Sequence, residues 1–240
     1  MRLYYRLFFR RAGFTLVELL VVMAIVGLLA SLLFPAMQSS LMSARRAACA
    51  SNMRQLGLGF MLYAAVHDGQ LPPTSHSTGG NAAGAWIALL KPYIGNTDAI
   101  RVCPSDPLRR ERAIAGATSY ILNNIVFDPL YDPFGGSSRA YNNLYQLSNP
   151  SRTLLAGIVS DARPGISPLN DHTHAESWDR GWRVVINDIE PNRHRVGPSN
   201  EEKTNGSSNY LFADGRVEAM DAQFLKQQFD QGNNIAWPPE

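Results

Sequence analysis

A single carboxylate, Glu18, stands near the head of an apolar run over Gly13 to Met37 that carries no charge from Leu19 onward. An ionised side chain is costly in hydrocarbon, and where one persists it tends to be paired or functional. Two cysteines, Cys49 and Cys103, allow one intramolecular disulfide. Bridging needs Cα atoms within about 7 Å, which sequence does not show, and two buried free thiols are the alternative. His172, His174 and Glu176 alternate in DHTHAESWD. On a strand they would share one face and could ligate zinc, given a fourth ligand or a water. The stretch is polar and poor in β-formers, so it reads as a solvated loop and no metal is assigned to it. Asp214-Gly215 sits between two β-rich runs, where a turn explains it and the spacing does not resemble an EF-hand. The chain shows no Gly-rich phosphate loop, GxSxG elbow or zinc-protease helix, and Cys103 has no recognisable activating histidine motif. The reading is therefore a protein that is not an enzyme and takes no cofactor.

The element that must position Glu18 is the apolar run itself. A helix of about 20 apolar residues crosses a hydrocarbon core of about 30 Å. Arg2, Arg6, Arg10 and Arg11 precede it and no basic residue lies inside it, which puts the leader on the cytoplasmic side and everything after Met37 in the periplasm. The formal charge of +2 is mostly this leader: without those four arginines, 18 basic side chains face 20 acidic ones. A secretory signal cut near Ala36 is one alternative, but the run exceeds the usual apolar core of about 7–15 residues and lacks a clear small-x-small site. An uncleaved anchor is another, and it leaves Glu18 unexplained.

Gly13-Phe14-Thr15-Leu16-Val17-Glu18, after a short basic leader and before an apolar run, resembles the processing site of type IV prepilins and type II secretion pseudopilins. The resemblance implies cleavage between Gly13 and Phe14 by a prepilin peptidase and methylation of the new Phe14 amine. It also implies that Glu18 pairs with the Phe14 amine of a neighbouring subunit during filament assembly. The implied partners are the peptidase, other pilin or pseudopilin subunits, the inner-membrane assembly machinery and the membrane.

Four segments follow from this: a leader at 1–13, an assembly helix at 14–36, its periplasmic continuation at 37–67, and a globular α+β domain at 68–240. Pro35 predicts a kink rather than a stop. Cys49, Met53, Leu56, Phe60 and Tyr63 recur at helical spacing and mark the face that docks on the domain. Asp68-Gly69 and Pro72-Pro73 end the helix near His67. Ala85 to Tyr93 reads as a short helix disturbed by Pro92, and Phe127 to Asn149 as an irregular loop with Tyr131, Tyr141 and Tyr145. Tyr120 to Asn124, Arg152 to Val159 and Trp182 to Asn187 read as strands. Asn209 to Ala213 and Arg216 to Ala219 read as a hairpin closed by a two-residue Asp214-Gly215 turn with both φ positive. Asp221 caps a final helix. The whole is a long N-terminal helix packed on a small antiparallel sheet.

Cys49, Cys103-Pro104-Ser105-Asp106, Ser119-Tyr120 and Asn209 to Gly215 also resemble a large pseudopilin-like group. Many of its members carry a histidine, nine residues, then Asp-Gly. Here Thr204 holds that histidine's place, and the nearest preceding histidine is His194. The resemblance implies an assembling pseudopilin or pilin subunit; the alternative is a minor pilin or anchored module presenting its domain to a ligand. Arg109, Arg110 and Arg112, and Arg193 and Arg195, are local basic clusters without the aromatic interleaving of a nucleic-acid groove, so no nucleic-acid partner is expected.

Overall fold

The computed structural model describes residues 13–95, 97–128 and 141–239. The leader arginines and Tyr131 lie outside the described residues. The chain divides after Leu41 into an N-terminal unit and a larger unit that begins at Met42.

Helix α1 spans Leu16–Ala65. It continues through position 35, so the proline does not stop it. Before Leu41 its apolar side chains are exposed, among them Leu19, Leu28 and Phe34. This stretch is long and apolar enough to cross a membrane, with a mean hydropathy of 2.7. The helix ends where Gly69 N–H donates to Ala64 O at 2.8 Å. Asp68 and Gly69 both take positive φ, 52° and 83°. A Cβ at Gly69 would lie 2.4 Å from Asn143 Oδ1, so glycine is required there for space as well as for conformation.

In the larger unit, four short helices follow: α2 Trp86–Leu89, α3 Lys91–Ile94, α4 Thr97–Ile100 and α5 Arg109–Ala115. The single helix expected over Ala85 to Tyr93 is instead two turns that meet at Leu90. Pro92 lies in the first turn of α3, where its missing N–H costs nothing. Strand β1 (Tyr120–Leu122) leads into α6 (Asn124–Phe127), β2 is Leu154–Ile158, and α7 is Trp182–Asp188. Strands β3 (Ser207–Phe212) and β4 (Val217–Asp221) precede α8 (Ala222–Asp230). The sheet is antiparallel throughout in the order β1-β2-β3-β4. The fold is α+β, as expected.

The sheet separates two apolar clusters. Tyr120, Leu122, Ala156 and Leu211 pack with Cys49, Met53, Leu56 and Phe60 of α1. Ile121, Tyr210 and Phe212 point the other way, toward Trp182 and Val185 of α7 and Leu225 of α8. This is the alternation a pleated strand imposes. The predicted α1 stripe is therefore the docking face, with Tyr63 half-buried at its end. Little room separates the helix from the sheet: a Cβ on Gly57 would lie 2.9 Å from the Leu211 side chain at Cδ1 and 3.5 Å from Gly215 Cα.

Two further expectations fail. Trp182 to Asn187 is helix α7, not a strand. Its Val-Val-Ile content suits a strand, yet the buried positions are Trp182, Val185 and Ile189, a helical spacing. Asp214-Gly215 is not a two-residue turn either. Gly215 N–H donates to Phe212 O and Phe212 N–H to Arg216 O, both at 2.9 Å, and of the pair only Gly215 has positive φ (82°). That is the longer hairpin loop, a turn followed by a left-handed glycine bulge. Asp214 Oδ1 accepts from Arg216 N–H at 3.0 Å, closing the turn with its side chain.

Candidate functional site

At the N-terminal end, Phe14 is exposed and precedes the first turn of α1. Thr15 and Glu18 form a reciprocal capping box. Glu18 N–H donates to Thr15 Oγ1 at 3.2 Å, and Thr15 N–H donates to Glu18 Oε2 at 2.8 Å. Thr15 Oγ1 also donates to Oε2 at 2.8 Å. The box satisfies backbone donors that a helix start leaves open. Glu18 therefore has a structural task within its own chain, and the Thr-x-x-Glu spacing was the signal for it. Its Oε1 has no hydrogen-bond partner among the described residues, and no cation pairs with the carboxylate there.

The larger unit gathers a second set of reactive groups. Cys49 on α1, Cys103 in the turn before α5 and His194 are all buried, and their ligand atoms lie within 4.8 Å of one another. Both cysteines are free thiols. Cys103 is held by a turn in which Asp106 N–H donates to its carbonyl at 3.0 Å. Asp106 is itself buried: its carboxylate accepts from Ser119 Oγ at 2.6 Å and from Leu108 N–H at 2.8 Å. Arg112 Nε lies 2.9 Å from Asp106 Oδ2, an ion pair whose N–H does not align as a hydrogen bond.

His194 reaches this cluster although its sequence position looked wrong. Its backbone N–H donates to Ser207 O at 2.9 Å, so the chain between them leaves the core and returns. The imidazole lies between Ser105 Oγ, 3.2 Å from Nδ1, and Asn209 Nδ2, 3.4 Å from Nε2. Thr204, at the expected histidine position, sits on that excursion and bonds with Asn200.

The two thiols are unequal. The hydrogen bond with Cys49, together with burial, pushes Cys103 far above the usual thiol range. For Cys49, burial opposes ionisation, but hydrogen bonds from Cys103, Tyr120 and Asn209 and the Arg193 charge outweigh it and pull the thiol down.

The remaining candidates resolve individually. Asp214 is exposed at its turn. Arg112 and Arg193 are buried in ion pairs with Asp106 and Asp161, so they contribute to the interior rather than to a basic surface. His172 is buried, not solvated as its polar neighbourhood suggested, while His174 and Glu176 are exposed.

An exposed apolar helix long enough to span a membrane, opened by Gly13-Phe14-Thr15 and capped through Glu18, precedes an α+β domain. Residues 8–34 match the prokaryotic N-terminal methylation motif, and residues 39–101 match a protein of unknown function (DUF1559). The pairing is typical of type II secretion pseudopilin-like proteins, and the motif supports a precursor processed at its N-terminus. No match was found among curated proteins or among solved structures.

Proposed function

We propose that the chain is a structural subunit of a type II secretion pseudopilus or a type IV pilus-like filament. A prepilin peptidase cuts between Gly13 and Phe14, the Phe14 amine is methylated, and the apolar part of α1 leaves the bilayer to pack with its counterparts. The observation that carries this reading is Glu18, a carboxylate with one free oxygen at the head of an uncharged, exposed apolar helix. The amine released by cleavage of another subunit supplies the missing cation. Contacts that repeat head to tail without closing into a ring generate a filament, with the periplasmic domain on its outside. Chemical cross-linking of membranes from cells that supply the peptidase and assembly machinery tests this. A ladder of subunit multimers is expected, and a protein that stays monomeric although processed would refute assembly.

Within the exported domain we further propose that Cys49 and Cys103 close a disulfide that fastens α1 to the first part of the domain. Oxidising compartments sustain such bonds. Before α1 docks and buries both sulfurs, the Cys49 thiolate attacks the disulfide of a periplasmic thiol–disulfide oxidoreductase. Cys103 then loses its proton and displaces the carrier as a dithiol. A bridge of this kind contributes about 2–4 kcal/mol. Non-reducing peptide mass analysis should find the Cys49 and Cys103 peptides joined and two hydrogens lighter than the separate thiols. Two alkylatable thiols in the exported protein would refute the bridge.

The minor-pilin reading has its own observation. A cleft of about 730 Å³ lies beside α8, lined among others by Phe212, Arg216, Phe224 and Trp237. A low-copy protein that binds a ligand through this cleft would favour it over the major-subunit reading.

A further inference from the structure

Three of the five histidines in the chain converge on one patch, and none of the three belongs to the sites described above. His76 comes from the loop after α1, and His172 and His174 from the segment before α7. Their ring centroids lie 5.3 Å (His76–His172), 5.3 Å (His172–His174) and 5.9 Å (His76–His174) apart, edge to face at 71°, 78° and 80°. A tetrahedral ion with metal–nitrogen bonds of about 2.0–2.1 Å holds its imidazole centroids about 5 Å apart. The observed triangle is close to that size.

The backbone around the triangle is fixed on both sides. Leu122 N–H donates to Asp171 O, and Thr173 N–H to Leu122 O, both at 2.8 Å, so the segment carrying His172 is tied to β1. The His76 loop is held by Thr74 Oγ1 on Asp128 at 2.7 Å and by Ser75 N–H on Asp171 at 3.0 Å. Asp171 is buried and its Oδ1 lies 2.9 Å from His172 Nδ1, which orients that ring and leaves Nε2 for another partner. A carboxylate behind a histidine is the usual outer support of a metal-ligating imidazole. Glu176 Oε1 lies 3.7 Å from His174 Nδ1 in a looser version of the same pairing.

We infer that His76, His172 and His174 form a three-histidine site for a divalent transition ion of the zinc type, with water in the remaining position. Imidazole ligands suit such ions, and three ligands with one open position is a recognised zinc arrangement. The alternating His172 and His174 lacked a further ligand in sequence, and the fold supplies it from His76, almost a hundred residues earlier. Turning the exposed His76 and His174 rings about their Cβ–Cγ bonds exchanges nitrogen and carbon edges without moving the rings, while Asp171 keeps the His172 ring in place, so binding an ion requires those two rings to turn toward it. The exposed His76 and His174 leave the site open to solvent, where it would take an ion after export.

The test uses the full chain in detergent, purified through a tag without histidines and stripped with a chelator. Titration with zinc chloride is followed by calorimetry, with cobalt(II) absorption as a second readout. One ion per chain is expected, with tetrahedral cobalt bands and no thiolate charge-transfer band. His76→Gln and His174→Gln, both at exposed positions, should each weaken binding by roughly tenfold or more. His67→Gln, in the exposed turn after α1, should leave it unchanged. Absence of binding overturns the inference, as does binding indifferent to both histidine substitutions. A thiolate band lost on Cys49→Ser would place the ion with Cys49, Cys103 and His194 and would equally overturn it.

Discussion

Glu18→Gln is expected to reduce assembled subunits by roughly tenfold or more while leaving the protein in the membrane and still processed. Glutamine serves a capping box as glutamate does, so the N-terminal turn of α1 survives the change. What disappears is the charge that a neighbouring Phe14 amine would meet in an apolar surrounding. Thr15→Ala is the complementary experiment, since it opens the box and keeps the carboxylate. Assembly should then persist, at a level limited only by fraying of the first turn. Cross-linking yield, normalised to the amount of processed protein, measures both. Equal losses in the two variants would mean that Glu18 acts only through its cap and not as a charge.

The second large effect lies at Asp106. Asp106→Ala is expected to destabilise the domain by about 3–5 kcal/mol, because it leaves the buried Arg112 guanidinium without its counter-charge. It also strands the hydrogen bonds from Ser119 Oγ and Leu108 N–H. Asp106→Asn keeps an acceptor for Ser119 and should cost less. Replacing both Asp106 and Arg112 with apolar residues of similar volume should cost less than Asp106→Ala alone, since a buried pair removed together leaves no orphan charge. Denaturant unfolding of the full chain in detergent, followed by tryptophan fluorescence, measures all three. The turn carrying Cys103 hangs on Asp106, so the Ala variant should also expose the Cys103 thiol to alkylation under reducing conditions.

Much of this was legible in the sequence where one physical signal dominated. The apolar run and the Gly13-Phe14 junction announce the N-terminal helix. The spacing of Cys49, Met53, Leu56 and Phe60 announces its docking face, and both cysteines lie in that core. The signal failed where local preference and tertiary demand diverged. Val184, Val185 and Ile186 favour extended chain, yet the cluster behind the sheet needed a helix that buries Trp182 and Val185. His194 was hidden because a surface excursion separates it from β3 in sequence, while the backbone contact with Ser207 returns it to the core. The imidazole triangle was hidden for a related reason. Its third member arrives from another loop, and a buried Asp171 makes His172 an interior residue within a polar stretch.

The measurement that bears most directly on the central claim is the N-terminal peptide mass of the protein from cells with a matching prepilin peptidase. A mature chain that begins at methylated Phe14 is expected, with processing abolished by Gly13→Ala. A chain that retains its leader, or one cut near Ala36, would contradict it.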